Sequence, residues 1–178
     1  MTKFSIVAES TILKSFVFDV ERRTVQGDHE TFTREVVVHP GAVAIVAVNE
    51  DGRVALLSQY RATLDLENLE IPAGTCDIAD EDPLATAKRE LHEELGGTSE
   101  HWSFLTRFYN SPGWTNQETI VYLAEKVTVG ESSPEGPEEV AITVQWMTVE
   151  QVKALLAGSN TVDGTAAIGL YAWLIRRP

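Results

Sequence analysis

The sequence predicts an α+β fold, a mixed β-sheet with helices packed on it, preceded by an N-terminal β-hairpin. Three observations carry this prediction. Strand-like segments recur between residues 11 and 147, many of them bounded by Pro, Gly, Asn or Asp. Residues 83–95 instead show helical periodicity, with Leu84, Ala87, Leu91 and Leu95 forming one apolar stripe. Two more helical segments close the chain, one from about Val149 to Ala157 and one after Asp163.

The chain has 178 residues, 43% hydrophobic and 23% charged, which suits one domain with a substantial core. A formal charge of −13 argues against a nucleic-acid partner, because neutralising phosphates takes clustered Lys and Arg. The same charge disfavours an anionic membrane surface. A protein this acidic that handles phosphates must supply cations locally. Cys76 is the single cysteine, so no internal disulfide forms and a cytoplasmic, reducing location is expected. The opening residues MTKFSIVAES lack a signal-peptide pattern, and no apolar run is long enough to span a bilayer. The four histidines match no zinc spacing.

Taken in order, residues 11–20 (TILKSFVFDV) read as a strand and 21–30 (ERRTVQGDHE) as a turn region. Residues 31–40 (TFTREVVVHP) form the second strand of the hairpin, ended by Pro40-Gly41. AVAIVAV at 42–48 is a continuous apolar run suited to a buried strand. A turn at Asn49–Gly52 then leads into its partner, Val54–Tyr60. The helix at 83–95 has Asp82 as N-cap, Pro83 in its first turn and Gly96-Gly97 as its stop.

Trp102–Tyr109 reads as a strand, followed by the loop Asn110-Ser111-Pro112-Gly113-Trp114 and a strand over 118–124. Gly130–Glu139 (GESSPEGPEE) is the most loop-like stretch, and Val140–Met147 is the last strand. Thr148 with Gln151 makes a capping box for the next helix. Asp163 caps the final helix, on which Ile168, Tyr171, Ala172 and Ile175 repeat at helical spacing.

One helix face is chemically unusual. Glu90 and Glu94 stand one turn apart beside the apolar stripe, with Glu93 close by. Like charges at this spacing cost roughly 0.2–0.5 kcal/mol in an isolated helix, and a buried border raises that cost. A hard divalent cation reverses the sign, because Mg²⁺ or Mn²⁺ takes oxygen ligands. The plain alternative is a solvated acidic face paired with Lys88 and Arg89.

The flanking residues decide between these readings. Gly74, Glu81, Arg89, Glu90, Leu91, Glu93, Glu94 and Gly96 resemble the box of the Nudix hydrolase superfamily. Two departures stand out. One extra residue between Gly74 and Glu81 leaves both Asp80 and Glu81 as candidates for the first glutamate of the box, and Gly97 replaces the usual apolar residue. Gln59-Tyr60-Arg61, Leu69–Gly74 (LEIPAG) and Ser111-Pro112-Gly113 further resemble the ADP-ribose pyrophosphatase branch.

The resemblance implies an α/β/α sandwich around the mixed sheet. It implies one to three Mg²⁺ ions, with Mn²⁺ as a substitute, held by Glu90, Glu94 and the Ala73 carbonyl, with Glu93 as a further ligand or catalytic carboxylate. A loop glutamate would activate water or bind metal, Glu138 first, then Glu139 and Glu135. Arg61, Glu70, Pro112 and Gly113 fall where the branch binds substrate. Glu70 either faces the same pocket or pairs with a neighbouring arginine, and Trp114 either stacks on a base or packs. The implied reaction splits ADP-ribose into AMP and ribose 5-phosphate.

Members of this branch are typically homodimers. Residues 1–40 would then be N-terminal strands available for dimerisation or swapping, and 41–178 the hydrolase domain. The alternatives are a hydrolase of another nucleoside diphosphate sugar, a catalytically silent metabolite-binding module, and a purely structural acidic helix.

Overall fold

In the computed structural model, which describes residues 3–133, 137–158 and 162–177, two units separate, residues 1–41 with 109–118 and residues 42–108 with 119–178. The first unit is built on a three-stranded antiparallel sheet of β1 (Ser5–Lys14), β2 (Asp19–Gln26) and β3 (Thr31–Val38), in that order. The expected hairpin is therefore corrected in two places. The strand expected at 11–20 breaks at a turn, where Ser15 N–H donates to the Phe18 carbonyl at 3.1 Å and Phe16 is fully exposed. Of the segment expected as a turn, residues 21–26 belong instead to the central strand, while 27–30 do make the turn into β3, Gly27 N–H donating to the Glu30 carbonyl at 2.9 Å. The strand's charges are matched by the ladder, since Arg22 faces Glu35 and bonds it at 2.6 Å, while Arg23 faces Glu9. At the end of β3, Val37 N–H donates to the Trp114 carbonyl at 2.8 Å, joining residues 109–118 to this unit.

The second unit is organised by β4 (Ala42–Asn49). It pairs antiparallel with β5 (Val54–Arg61) and with β7 (Ala73–Thr75), and β6 (Leu66–Glu70) pairs with β5. Periodicity predicts neither β6 nor β7, since five and three residues carry too little pattern. On its other side β4 runs parallel to β10 (Glu118–Val129), which also pairs β8 (Gly97–Thr98) and β9 (His101–Tyr109). β11 (Thr143–Met147) closes the sheet against β5. It is shorter than expected, because Pro137–Val140 forms a helical turn, α2.

Helices cover both faces of this sheet. Val43, Ile45 and Ala47 pack with Ala87, Leu91 and Leu95 of α1 (Pro83–Leu95). Ala44, Val46 and Val48 pack on the other face with Val152 of α3 (Val149–Ala157) and with Leu170 and Trp173 of α4 (Gly164–Arg176). Period-two alternation explains the unbroken apolar run of β4, since each face meets a different helix layer. The expected caps are present, with Asp82 on α1, the Thr148–Gln151 box on α3 and Asp163 on α4.

The face expected for α4 is corrected. Ile168, Tyr171 and Ile175 are exposed, whereas Ala166, Gly169, Leu170 and Trp173 are buried. A Cβ on Gly169 would lie 2.9 Å from Ile71 Cδ1, so the small residues are what let this helix approach the sheet. Among the described residues, no helix is long and apolar enough to cross a membrane.

Candidate active site

The site lies in the second unit, where α1 lies along β4 and β7. The buried leucines fix the rotation of α1, and that rotation carries Glu90 and Glu94 inward. Glu90 is only 8% exposed. Glu94 accepts the Ala73 backbone N–H at 3.0 Å, tying the helix to β7. Burial, the largest effect, pushes the Glu94 carboxyl up to about 8. The Ala73 N–H opposes the rise, the charges of Glu90 and Glu139 add to it, and that of Arg61 opposes it. Burial likewise raises Glu90 to about 7, against the pull of Arg89 and with the push of Glu93 and Glu139. One carboxylate buried and one half-buried, side by side, do not make a fully solvated helix face.

Gly74 explains how Glu90 fits. A Cβ built on it would overlap the Glu90 carboxylate, so only glycine leaves room for this side chain. Arg89 holds the other side. Its Nη1 donates to Glu93 at 2.9 Å and lies 2.9 Å from Glu90, while Nη2 stands 3.7 Å from Glu81.

The structure resolves both departures in the surrounding sequence. Asp80 takes a left-handed conformation (φ 61°) and is exposed, so the extra residue is absorbed in a turn. Glu81 faces inward and accepts the Thr86 hydroxyl at 2.7 Å. At the helix end, Gly96 is the left-handed cap (φ 63°), and its N–H donates to the His92 carbonyl at 2.8 Å. A Cβ on Gly97 would lie 2.9 Å from Leu91 Cγ, so Leu91 fills the space beside it.

Arg61 and Glu70 form a two-point ion pair, Nε to Oε1 at 2.7 Å and Nη2 to Oε2 at 2.6 Å. The Arg61 side chain is 38% exposed and that of Glu70 only 10%. Of the two readings of Glu70, pairing with an arginine is the one observed. The charges of Glu94 and Asp163 both act on Arg61, so the pair stands near the carboxylate end of the site. Periodicity gives no sign of Asp163 beyond its capping role, nor of Asn68, whose Nδ2 donates to Glu70 at 3.0 Å.

The remaining expected residues are distributed differently. Pro112 and Gly113 belong to the first unit, where with Tyr109, Trp114, Arg23 and Arg34 they line a groove of about 500 Å³. Trp114 is 58% exposed there. Glu135 lies outside the described residues, and so does the side chain of Glu138. Glu139 is half-buried, and its charge reaches both Glu90 and Glu94.

Among the described residues no three His, Cys, Asp or Glu side chains converge into a ready-made metal cage. A closed cage is not what Mg²⁺ needs, since it commonly binds through one or two carboxylates and keeps waters or substrate phosphates. Glu90 and Glu94 supply two hard oxygen donors in a hollow kept open by Gly74, and this donor set fits such a cation.

Comparison with known proteins adds independent findings. The family profile of the NUDIX domain matches residues 38–165. The chain is 34% identical over 165 residues to an ADP-ribose pyrophosphatase of Bacillus subtilis (strain 168), covering 92% of this chain and 89% of that one. It is 32% identical over 170 residues to an ADP-ribose pyrophosphatase of Mycobacterium tuberculosis (strain ATCC 25618 / H37Rv), covering 95% and 82%. Among solved structures, an ADP compounds hydrolase shares the fold with a TM-score of 0.83 at 21% identity, covering 98% of this chain and 94% of that one.

Proposed function

The chain belongs to the NUDIX family, and from that premise we infer that it hydrolyses ADP-ribose to AMP and ribose 5-phosphate. Water adds across the phosphoanhydride, one phosphorus taking the hydroxyl oxygen and the bridging oxygen leaving with the other. The observation that carries this reading is the pair of buried Glu90 and half-buried Glu94, within reach of the Glu139 charge and packed against Ala73 and Gly74. A neutral ligand gives such a pair no reason to ionise, whereas a divalent cation carrying a diphosphate does.

In this reading Glu90, Glu94 and the Ala73 carbonyl hold Mg²⁺. A bound Mg²⁺ supplies positive charge against the diphosphate and lowers the pKa of nearby water. Glu139 accepts a proton from the attacking water or joins the metal ligands, a role for which its charge coupling to both ligands speaks. Glu138 keeps its place as the other candidate. Arg89 orients Glu90 and Glu93 and touches no substrate. Arg61 contacts a phosphate through the part of its guanidinium that Glu70 leaves over. Pro112 and Gly113 keep the substrate-contact role that the family resemblance gives them; within the first unit they line a groove beside Trp114, an exposed aromatic face suited to stacking.

We further propose that two copies associate through the first unit. Phe4, Ile6, Val7, Ile12 and Leu13 are each at least 45% exposed on or beside β1, more apolar surface than a lone sheet edge usually shows. Light scattering on the purified protein should give twice the chain mass.

The test of function is AMP release from ADP-ribose with Mg²⁺, measured beside GDP- and UDP-sugars. Preference for ADP-ribose is expected. Silence towards all of them, or faster cleavage of another sugar nucleotide, would overturn the assignment.

A further inference from the structure

We infer that Asn68 is a positioning residue for Arg61, acting through the buried carboxylate of Glu70. The inference rests on the reading of Arg61 as a substrate contact. Its basis is the β5–β6 register, which pairs Gln59 with Asn68, Leu57 with Glu70 and Arg61 with Leu66. Opposite residues share a face and every second residue returns to it, so Gln59, Arg61, Asn68 and Glu70 project from one side of the sheet. Leu57, on that same side, packs in the cluster containing Leu91 of α1, so this is the face that looks towards Glu94.

Glu70 then accepts three N–H bonds, two from Arg61 at 2.7 and 2.6 Å and one from Asn68 at 3.0 Å. The contributions differ in kind. Arg61 reaches Glu70 from the end of a long, partly exposed side chain, so their fork-to-fork bond aligns the two groups with each other but not with the protein. A carboxylate also turns freely about its last torsion. Asn68 is 9% exposed, with a short side chain on a paired strand, and its bond to Oε1 fixes the carboxylate plane to the sheet. The guanidinium is thereby aimed as well. Arg61 spends Nε and one N–H of Nη2 on Glu70, leaving Nη1 and the outer N–H of Nη2 for two oxygens of one phosphate. Without Asn68 the ion pair persists but pivots.

A buried amide serving only the fold would affect stability and nothing else. Three variants separate the two roles. Asn68→Leu keeps the shape and removes the donor, Asn68→Gln keeps an amide, and Asn68→Ala is measured alongside in case leucine does not fold. KM and kcat for ADP-ribose are measured together with the solvent exchange of the Arg61 Nε–H by ¹⁵N NMR, its signal assigned by its loss in Arg61→Lys. Removing the donor is expected to raise KM about tenfold with kcat nearly unchanged, and to speed Nε–H exchange by a similar factor. Asn68→Gln is expected to recover part of both. Wild-type KM and wild-type exchange in the folded donor-less variant would overturn the inference. A wild-type enzyme inactive on ADP-ribose would refute the substrate reading, while the exchange comparison would still decide the role of Asn68.

Discussion

Gly74 lies so close to Glu90 that a methyl group in place of its hydrogen would occupy the carboxylate's own position. The glycine is therefore part of the carboxylate site, although it carries no chemistry itself. Gly74→Ala is expected to turn Glu90 away from Glu94, raising the Mg²⁺ concentration needed for half-maximal rate by about 10–100-fold. Magnesium titration of the rate checks this. An unchanged requirement would show that Glu90 is not a ligand.

Glu94 stands at the centre of the proposed chemistry. Glu94→Gln keeps the shape and an acceptor for the Ala73 N–H but removes the negative charge. The rate of AMP release is expected to fall by at least about 10³-fold, the scale of losing a group that serves transition-state charge. The circular-dichroism spectrum is expected to stay the same.

The raised carboxyls give stability a pH dependence of definite sign. Glu90 at about 7 and Glu94 at about 8 bind protons in the folded state that the unfolded chain releases near pH 4.5. Their contribution is therefore fully present at low pH and lost as pH rises through about 8. Without metal, Tm should fall between pH 5 and 9, and less steeply in Glu94→Gln, which isolates this site from the general repulsion of a chain of charge −13. Added Mg²⁺ should raise Tm more at pH 8.5 than at pH 6, because ligation needs the ionised form. Differential scanning calorimetry would expose a flat profile.

Gly96 tests the end of the helix. It sits at φ 63°, and a Cβ there would come within 2.6 Å of the Gly130 carbonyl oxygen, which is backbone and cannot swing aside. Gly96→Ala should cost about 2 kcal/mol or more in urea unfolding, combining left-handed strain with that clash.

Local rules made much of the site legible. Asp82, Pro83 and Gly96 bound α1, and the apolar stripe sets its rotation, so local rules alone place Glu90 and Glu94 beside the core. Other features had no local signature. Residues 21–30 read as a turn region, yet 21–26 are a strand, in which Arg22 pairs with Glu35 on the next strand and Arg23 bonds Glu21 two residues away, with Glu9 of β1 3.8 Å off. In α4 nearly every position is small or apolar, so periodicity admitted several faces. The close approach of Gly169 to Ile71 and Val46 selects the buried one.

What the sequence determined alone is the acidic helix, its caps and the glycines that frame it, because these depend on residues a few positions apart. Tertiary structure decided how far Glu90 and Glu94 are shielded from water, that Glu139 shares their field, and that Asn68, Glu70 and Arg61 form one chain of hydrogen bonds. The physical reason is range. Helix periodicity and capping act within one or two turns, whereas desolvation and strand register depend on segments distant in sequence that meet only when the sheet has formed.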